Sequence, residues 1–206
     1  AATAPYLAGV ALDGTALAST IAGLDLAGSN NIVRNLTFRN YGTGVTLSAS
    51  GSSNNEVSKN LINNARVTGI MITGGSSHTI KENTVAASSG AGIDSTGSPT
   101  GLTIRDNIVS SSGSVGIRLC CTAPATNTII NNQVTSNIGA GIVVSGGSGN
   151  TIDSNTVLNN TGGITLSSSA TATVTKNLVG ETTGVGITIG AGSTGSKVTI
   201  NTVRNA

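Results

Sequence analysis

Aromatic side chains are almost missing from this 206-residue chain, which has no Trp, one Phe and two Tyr. Carbohydrate clefts are commonly floored by aromatic rings, and Tyr41, near the end of one apolar segment, is thin support for such a platform. Charge is also scarce: residues of both signs make up 9% of the chain, and they are scattered singly. Without a basic stripe or an acidic tail, a role built on neutralising nucleic-acid phosphates is excluded. No apolar run approaches the ~20 residues needed to cross a bilayer. No secretory leader is present, so Ala1 reads as a mature or trimmed start. The only cysteines, Cys120 and Cys121, are adjacent, and a CxxC zinc or redox spacing is absent. His78 is the single histidine and has no acidic partner close in sequence, which reads as a solvated loop residue.

What is present is 37% hydrophobic content, a mean hydropathy of +0.19 and 29 glycines. That is enough apolar material for a folded core, and it is made of Val, Ile, Leu, Ala and Thr. Small β-branched side chains suit a pleated sheet, and the glycines suit frequent tight turns. A surface rich in Ser, Thr, Asn and Gly and poor in Lys fits an exported protein.

The chain repeats itself. An aliphatic residue, two others, Asn, one other and a second aliphatic recur as Val57/Asn60/Ile62, Ile80/Asn83/Val85, Ile104/Asn107/Val109, Ile129/Asn132/Val134, Ile152/Asn155/Val157, Val174/Asn177/Val179 and Val198/Asn201/Val203. A degenerate copy, Ile32/Asn35, precedes them with Leu36 and Phe38 in place of the last aliphatic. Successive asparagines lie 22 to 25 residues apart. Eight or nine residues after each of the first seven comes Gly, aliphatic, any residue, aliphatic, as in GVTL at 44, GIMI at 69, GIRL at 116 and GITI at 186. In GIDS at 92, Ser95 replaces the second apolar residue. From that glycine to the next Asn the distance varies between 14 and 16 residues, so one corner is rigid and another tolerates insertion.

Segments of two to four residues cannot be helices, and a coil that buries one or two aliphatics cannot form a core alone. Stacking solves both problems. The pattern predicts an all-β parallel solenoid of about eight coils, each pairing with the next roughly 4.8 Å away. Positions 32, 57, 80, 104, 129, 152, 174 and 198, with the Gly-Ile positions, then point inward. Asn35, Asn60, Asn83, Asn107, Asn132, Asn155, Asn177 and Asn201 form a ladder at a sharp turn, where Asn tolerates left-handed φ and its amide bonds the next Asn. Thr79, Thr103, Thr128, Thr151 and Thr173 form an outward column. Glu56, Lys59, Lys81, Glu82, Arg105, Asp106 and Asp153 gather along one face and turn as opposite charges stacked between rungs. Residues 1–206 make one domain, with an N-terminal strand and entry coil over 1–22 and regular coils over 23–206.

The stretches NTIDSNTV, HTIKENTV and LTIRDNIV, alternating with GIxI, resemble the right-handed parallel β-helix repeats of the pectin-lyase-like superfold. The right-handed sense rests on that resemblance, which covers nearly the whole chain and places Asp13 at the turn before Asn35. The superfold hosts lyases, hydrolases, epimerases, adhesins and passive scaffolds, so function has to come from a site. The resemblance puts an enzyme's site on the outer face of the Gly-Ile strands. Asp25, Thr46, Met71, Asp94, Arg118, Val143, Thr165 and Thr188 stand there. Of these, Asp94 and Arg118, one coil apart, are the candidates for lyase-like chemistry, against the alternative of a cross-strand salt bridge.

The expectation from sequence is a non-catalytic, extracellular structural protein without cofactor or metal. It would be the subunit of a filament or surface adhesin, self-associating through open, uncapped solenoid ends. The first twelve residues, AATAPYLAGVAL, are apolar and strand-like, and KVTINTVRNA ends inside a coil. A polysaccharide-lyase-like enzyme using Asp94 and Arg118 is the alternative, and a glycan- or ice-binding Thr face is the third reading. Cys120 and Cys121 can form a vicinal disulfide in an oxidising compartment, remain free or pair with another molecule.

Overall fold

The computed structural model describes residues 10–120 and 126–205. Among them are 25 strands of three to six residues and no helix. Each coil of about 24 residues contributes three strands. One coil runs Thr68–Ile72, Thr79–Lys81 and Thr84–Ala86, and the next begins at Ile93–Ser95. Each strand pairs in parallel with its counterpart one coil away, which builds three sheets of eight, eight and nine strands. Sheet 1 holds the Gly-Ile strands, sheet 2 the strands with the outward Thr column, and sheet 3 the strands after the ladder asparagines. The molecule is an all-β solenoid of about eight turns.

Parallel, in-register pairing puts like on like. Val45, Ile70, Ile93, Ile117, Ile142 and Ile164 form one inward column, and Val57, Ile80, Ile104, Ile129, Ile152 and Val174 form a second. All twelve are completely buried. Every internal coil lends a side chain to a core that it could not close alone. The glycine before each sheet 1 aliphatic has a packing reason. A Cβ at Gly69 would lie 2.3 Å from Val85 Cγ1 and 2.5 Å from the Gly92 carbonyl, where no side chain fits.

The corner between sheets 2 and 3 differs from the sequence expectation by one residue. Lys59, Glu82, Asp106, Asn131, Ser154 and Lys176 take the left-handed conformation, with φ of 54 to 56°, and the ladder Asn follows each of them. The bend is therefore made by a residue of almost any type, while the asparagine after it is free to turn inward and bond. In the degenerate first copy the register shifts accordingly. Val33 pairs with Val57, Ile32 is 61% exposed, and Asn35 (φ 59°) stands at the bend, with Leu36 opposite Asn60. Ile32 is thus not a core residue, and Asn35 is not a rung. Asp13 also departs from its expected place: it ends a sheet 3 strand opposite Arg39 rather than standing at this corner.

Candidate functional site

The ladder is built by repetition of one geometry. The Oδ1 of Asn107 accepts the backbone N–H of Asn83 (2.9 Å) and its Nδ2–H (3.0 Å), and Asn132 does the same for Asn107 at 3.0 Å. Each Nδ2 also donates to a carbonyl of the preceding coil, as Asn107 does to Ile80 and Asn132 to Ile104. The column Asn60, Asn83, Asn107, Asn132, Asn155, Asn177, Asn201 runs unbroken in this way. Two further ladders, which the sequence reading missed, occupy the other corners. In one, Asn55 accepts from Asn31, His78 from Asn55, Asn127 from Leu102 and Asn150 from Asn127. In the other, Asn137 accepts from Ser112 and Asn160 from Asn137. A signal for the first was present, since Asn55, Asn127 and Asn150 each stand two places before an inward aliphatic.

His78 belongs to that ladder and is completely buried, which corrects the expectation of a solvated loop residue. The loop of Ser and Gly ahead of it suggested exposure, but coil stacking places position 78 at an interior corner. Burial depresses its pKa, with a smaller opposing effect from the Gly74 carbonyl.

On the outer face of sheet 1 the register places Asp25, Thr46, Met71, Asp94, Arg118, Val143, Thr165 and Thr188 in one column. Asp94 and Arg118 do come together. Arg118 Nε donates to Oδ1 at 2.8 Å and Nη2 to Oδ2 at 2.5 Å, a two-pronged pair in which the Asp94 side chain is 4% exposed and that of Arg118 41%. The hydrogen bond that Arg118 donates to Asp94 is the main reason its pKa is raised, so the guanidinium is held more firmly protonated and is poorly placed to act as a base. Both carboxylate oxygens are occupied. The other carboxylate of this column, Asp25, lies three coils away, about 14 Å at the usual inter-strand spacing. Paired-carboxylate glycoside chemistry needs separations of roughly 5 to 9.5 Å.

The charged residues of sheet 2 and its corner meet in a groove of about 310 Å³ lined by Arg34, Asn35, Glu56, Ser58, Lys59, Lys81 and Glu82. Lys81 Nζ lies 2.8 Å from Glu56 Oε2, and Ser58 donates to Glu56 Oε1 at 2.7 Å. Lys59 and Glu82 are 3.4 Å apart, and Arg105 pairs with Asp106. Burial pushes the Glu56 carboxyl up, but the hydrogen bonds from Lys81 and Ser58 and the charges of Lys81 and Arg105 outweigh it, and its pKa is lowered. Lys81–Glu56 and Lys59–Glu82 are opposite charges stacked between neighbouring rungs, whereas Arg105 and Asp106 pair within one coil. Cys120 is exposed at the end of the strand Ile117–Cys120, and Cys121 lies outside the described residues, so their pairing does too.

A family model described as "Right handed beta helix region" matches residues 9–123. The chain belongs to the right-handed β-helix family. A second model, described as "Periplasmic copper-binding protein (NosD)", matches residues 100–206 of this β-helix. Among solved structures, the periplasmic alginate epimerase AlgG is similar at 16% identity and a TM-score of 0.73, over 84% of this chain and 49% of that one. The A-module of the Azotobacter vinelandii mannuronan C-5 epimerase AlgE4 is similar at 12% identity and 0.64, over 86% and 61%. The Dettilon tailspike protein is similar at 14% identity and 0.55, over 90% and 55%. The β-helix therefore spans about half the length of the first of these structures, and the likeness concerns the fold. No curated protein matches the sequence.

The residues of this β-helix do not fit a copper centre. Copper favours imidazole, thiolate and thioether donors, and the sequence has one His, one Met and one pair of Cys. His78 is buried with Nδ1 occupied by the Asn55 N–H. Among the described residues, no three His, Cys, Asp or Glu side chains are grouped so as to hold a metal ion. Nor, among them, is any helix long and apolar enough to cross a membrane.

Proposed function

We propose that this β-helix is a non-catalytic structural module of an exported assembly, a filament subunit or a segment of a surface adhesin, which associates end to end. The observation that carries this reading is the in-register stacking of self-similar coils, in which each inward column is built to receive the next coil. Leu166, Val174 and Val179 are completely buried, whereas their counterparts one coil on, Ile189, Val198 and Val203, are 42 to 49% exposed. An apolar groove lined by Val185, Ile187 and Val203 lies at the same end. Each of these side chains has the shape and register to receive another coil, and strand edges left open pair readily with a further strand. The locked Asp94–Arg118 pair, a composition poor in Lys and rich in Thr and Asn, and the description of two similar proteins as periplasmic support the non-catalytic and exported parts of the reading.

Sedimentation and negative-stain microscopy over a concentration series test it. Rods should lengthen with concentration, and Val198→Lys with Val203→Lys should hold them at single-chain length. Discrete short rods at every concentration would sink the proposal. A carbohydrate-active role is the second reading, favoured by the outward placement of Asp94 and Arg118 and by the likeness to two epimerases of uronate polymers. Cleavage or epimerisation of such a polymer that is abolished by Arg118→Ala would replace the first reading with the second.

A further inference from the structure

Ser52 Oγ lies 3.4 Å from His78 Nε2, a pairing that suggests a nucleophile and its base. The hydrogen bonds exclude that role. Nδ1 accepts the backbone N–H of Asn55 at 3.1 Å, so in the neutral ring the proton sits on Nε2. Nε2 therefore has no lone pair to offer Ser52, whose own proton is directed to the Ala49 carbonyl at 2.7 Å.

The ring does something else. In this column Asn55 Oδ1 takes the Asn31 N–H at 2.9 Å, and Asn150 Oδ1 takes the Asn127 N–H at 3.1 Å. His78 Nδ1 occupies the place of that amide oxygen. An amide oxygen keeps its lone pairs at any ordinary pH, whereas an imidazole nitrogen can lose its lone pair to a proton. We propose that His78 is a proton-sensitive rung: when Nδ1 is protonated, the acceptor of the Asn55 N–H becomes a donor facing a donor, and the corner formed by residues 52–55 and 74–78 is released.

Nothing around the ring would balance the new charge. The preceding coil presents Ser52, Ser53, Asn54 and Asn55, and the ring's own loop presents Gly74, Gly75, Ser76 and Ser77. The following coil, joined by the bonds Ser77 N–H to Thr100 O and Thr103 N–H to His78 O, presents Thr100, Gly101 and Leu102. None of these is titratable. Glu56, the next residue along, is engaged with Lys81 and Ser58 on the outer face of sheet 2. The ring has no room to withdraw toward Gly75, where even a Cβ would come within 2.3 Å of Nε2.

The sign follows from linkage. A histidine whose folded pKa lies below its unfolded value contributes stability that is complete above about pH 6.5 and is lost as pH falls toward the folded pKa. His78 is the only histidine in the sequence, and carboxylates titrate near pH 4, so the window from about pH 7 to 5 reports on this ring alone.

The test compares the full chain with His78→Asn, which installs the residue that other coils carry at this place. Wild type should lose several degrees of unfolding midpoint between the two ends of that window, with exchange at the Asn55 amide rising beyond its intrinsic pH dependence. The variant should be flat in both. Nitrogen-edited NMR of wild type should show the Nε2–H tautomer at neutral pH and titration below the ordinary imidazole value. An equal loss in His78→Asn, or an imidazole titrating at its ordinary value with Asn55 still protected, would overturn the proposal.

Discussion

Asn107 and Asn35 have the same side chain and opposite uses. Asn107 is buried at a corner, where its amide answers two donors of Asn83 and the carbonyls of Ile80 and Arg105. Asn35 stands at the bend itself, in the left-handed conformation, and completes no rung. Asn107→Ala leaves the buried Asn83 N–H and a carbonyl without partners, at roughly 1 to 3 kcal/mol each. Asn35→Ala loses only the local tolerance for positive φ, about 1 kcal/mol. Urea titration of the two variants should therefore separate them clearly, with Asn107→Ala the more damaging by about 2 kcal/mol. The seven regular rungs were legible in the sequence because their spacing from an inward aliphatic on each side is constant. Asn35 was misplaced because Leu36 and Phe38 disguise a one-residue shift, and only the pairing of Val33 with Val57 reveals it.

Among the strands of sheet 1, Ile93–Ser95 is the place where the repeat breaks its own rule. Ser95 faces inward between Ile72 and Leu119, completely buried, and its hydroxyl has no hydrogen-bond partner. The sequence flagged this as a missing apolar residue, and the structure adds the orphaned oxygen. Ser95→Val replaces that hydroxyl with methyls in a column already built of Leu, Ile and Val, and should raise stability by about 1 to 2 kcal/mol. A thermal-unfolding comparison checks it, and a lowered midpoint would mean that the column is already filled to capacity. Asp94, its neighbour on the opposite face, was legible as half of a pair because one coil separates it from Arg118. That both of its oxygens are taken was not legible, since burial and side-chain direction belong to the folded strand.

Across the whole molecule, stability is set by how many neighbours a coil has. In a solenoid each coil contacts only those beside it, so its protection is the sum of its own terms and two interfaces. The coil carrying Lys197–Thr199 and Thr202–Arg204 has one described neighbour, and all six residues of those two strands are exposed. Native-state hydrogen exchange should find Val203 opening far more readily than Val134, which is completely buried between two coils in the same column. Equal protection in a dilute monomer would contradict nearest-neighbour stacking. Period, parallel pairing and core columns were legible at this scale because each coil repeats them. The interior position of His78 was not, because its Ser- and Gly-rich lead-in has the composition of a surface loop.

The bend before each ladder asparagine has a consequence of another kind. Its left-handed backbone is imposed by the coil, so the side chain there has drifted through Asn35, Lys59, Glu82, Asp106, Asn131, Ser154, Lys176 and even the β-branched Ile200. All of them lie at the surface. The molecule is in effect a ruler with one such slot per graduation, roughly 4.8 Å apart. Groups grafted at the slots outside the Lys59–Glu82 and Arg105–Asp106 pairs would be held in an evenly spaced file.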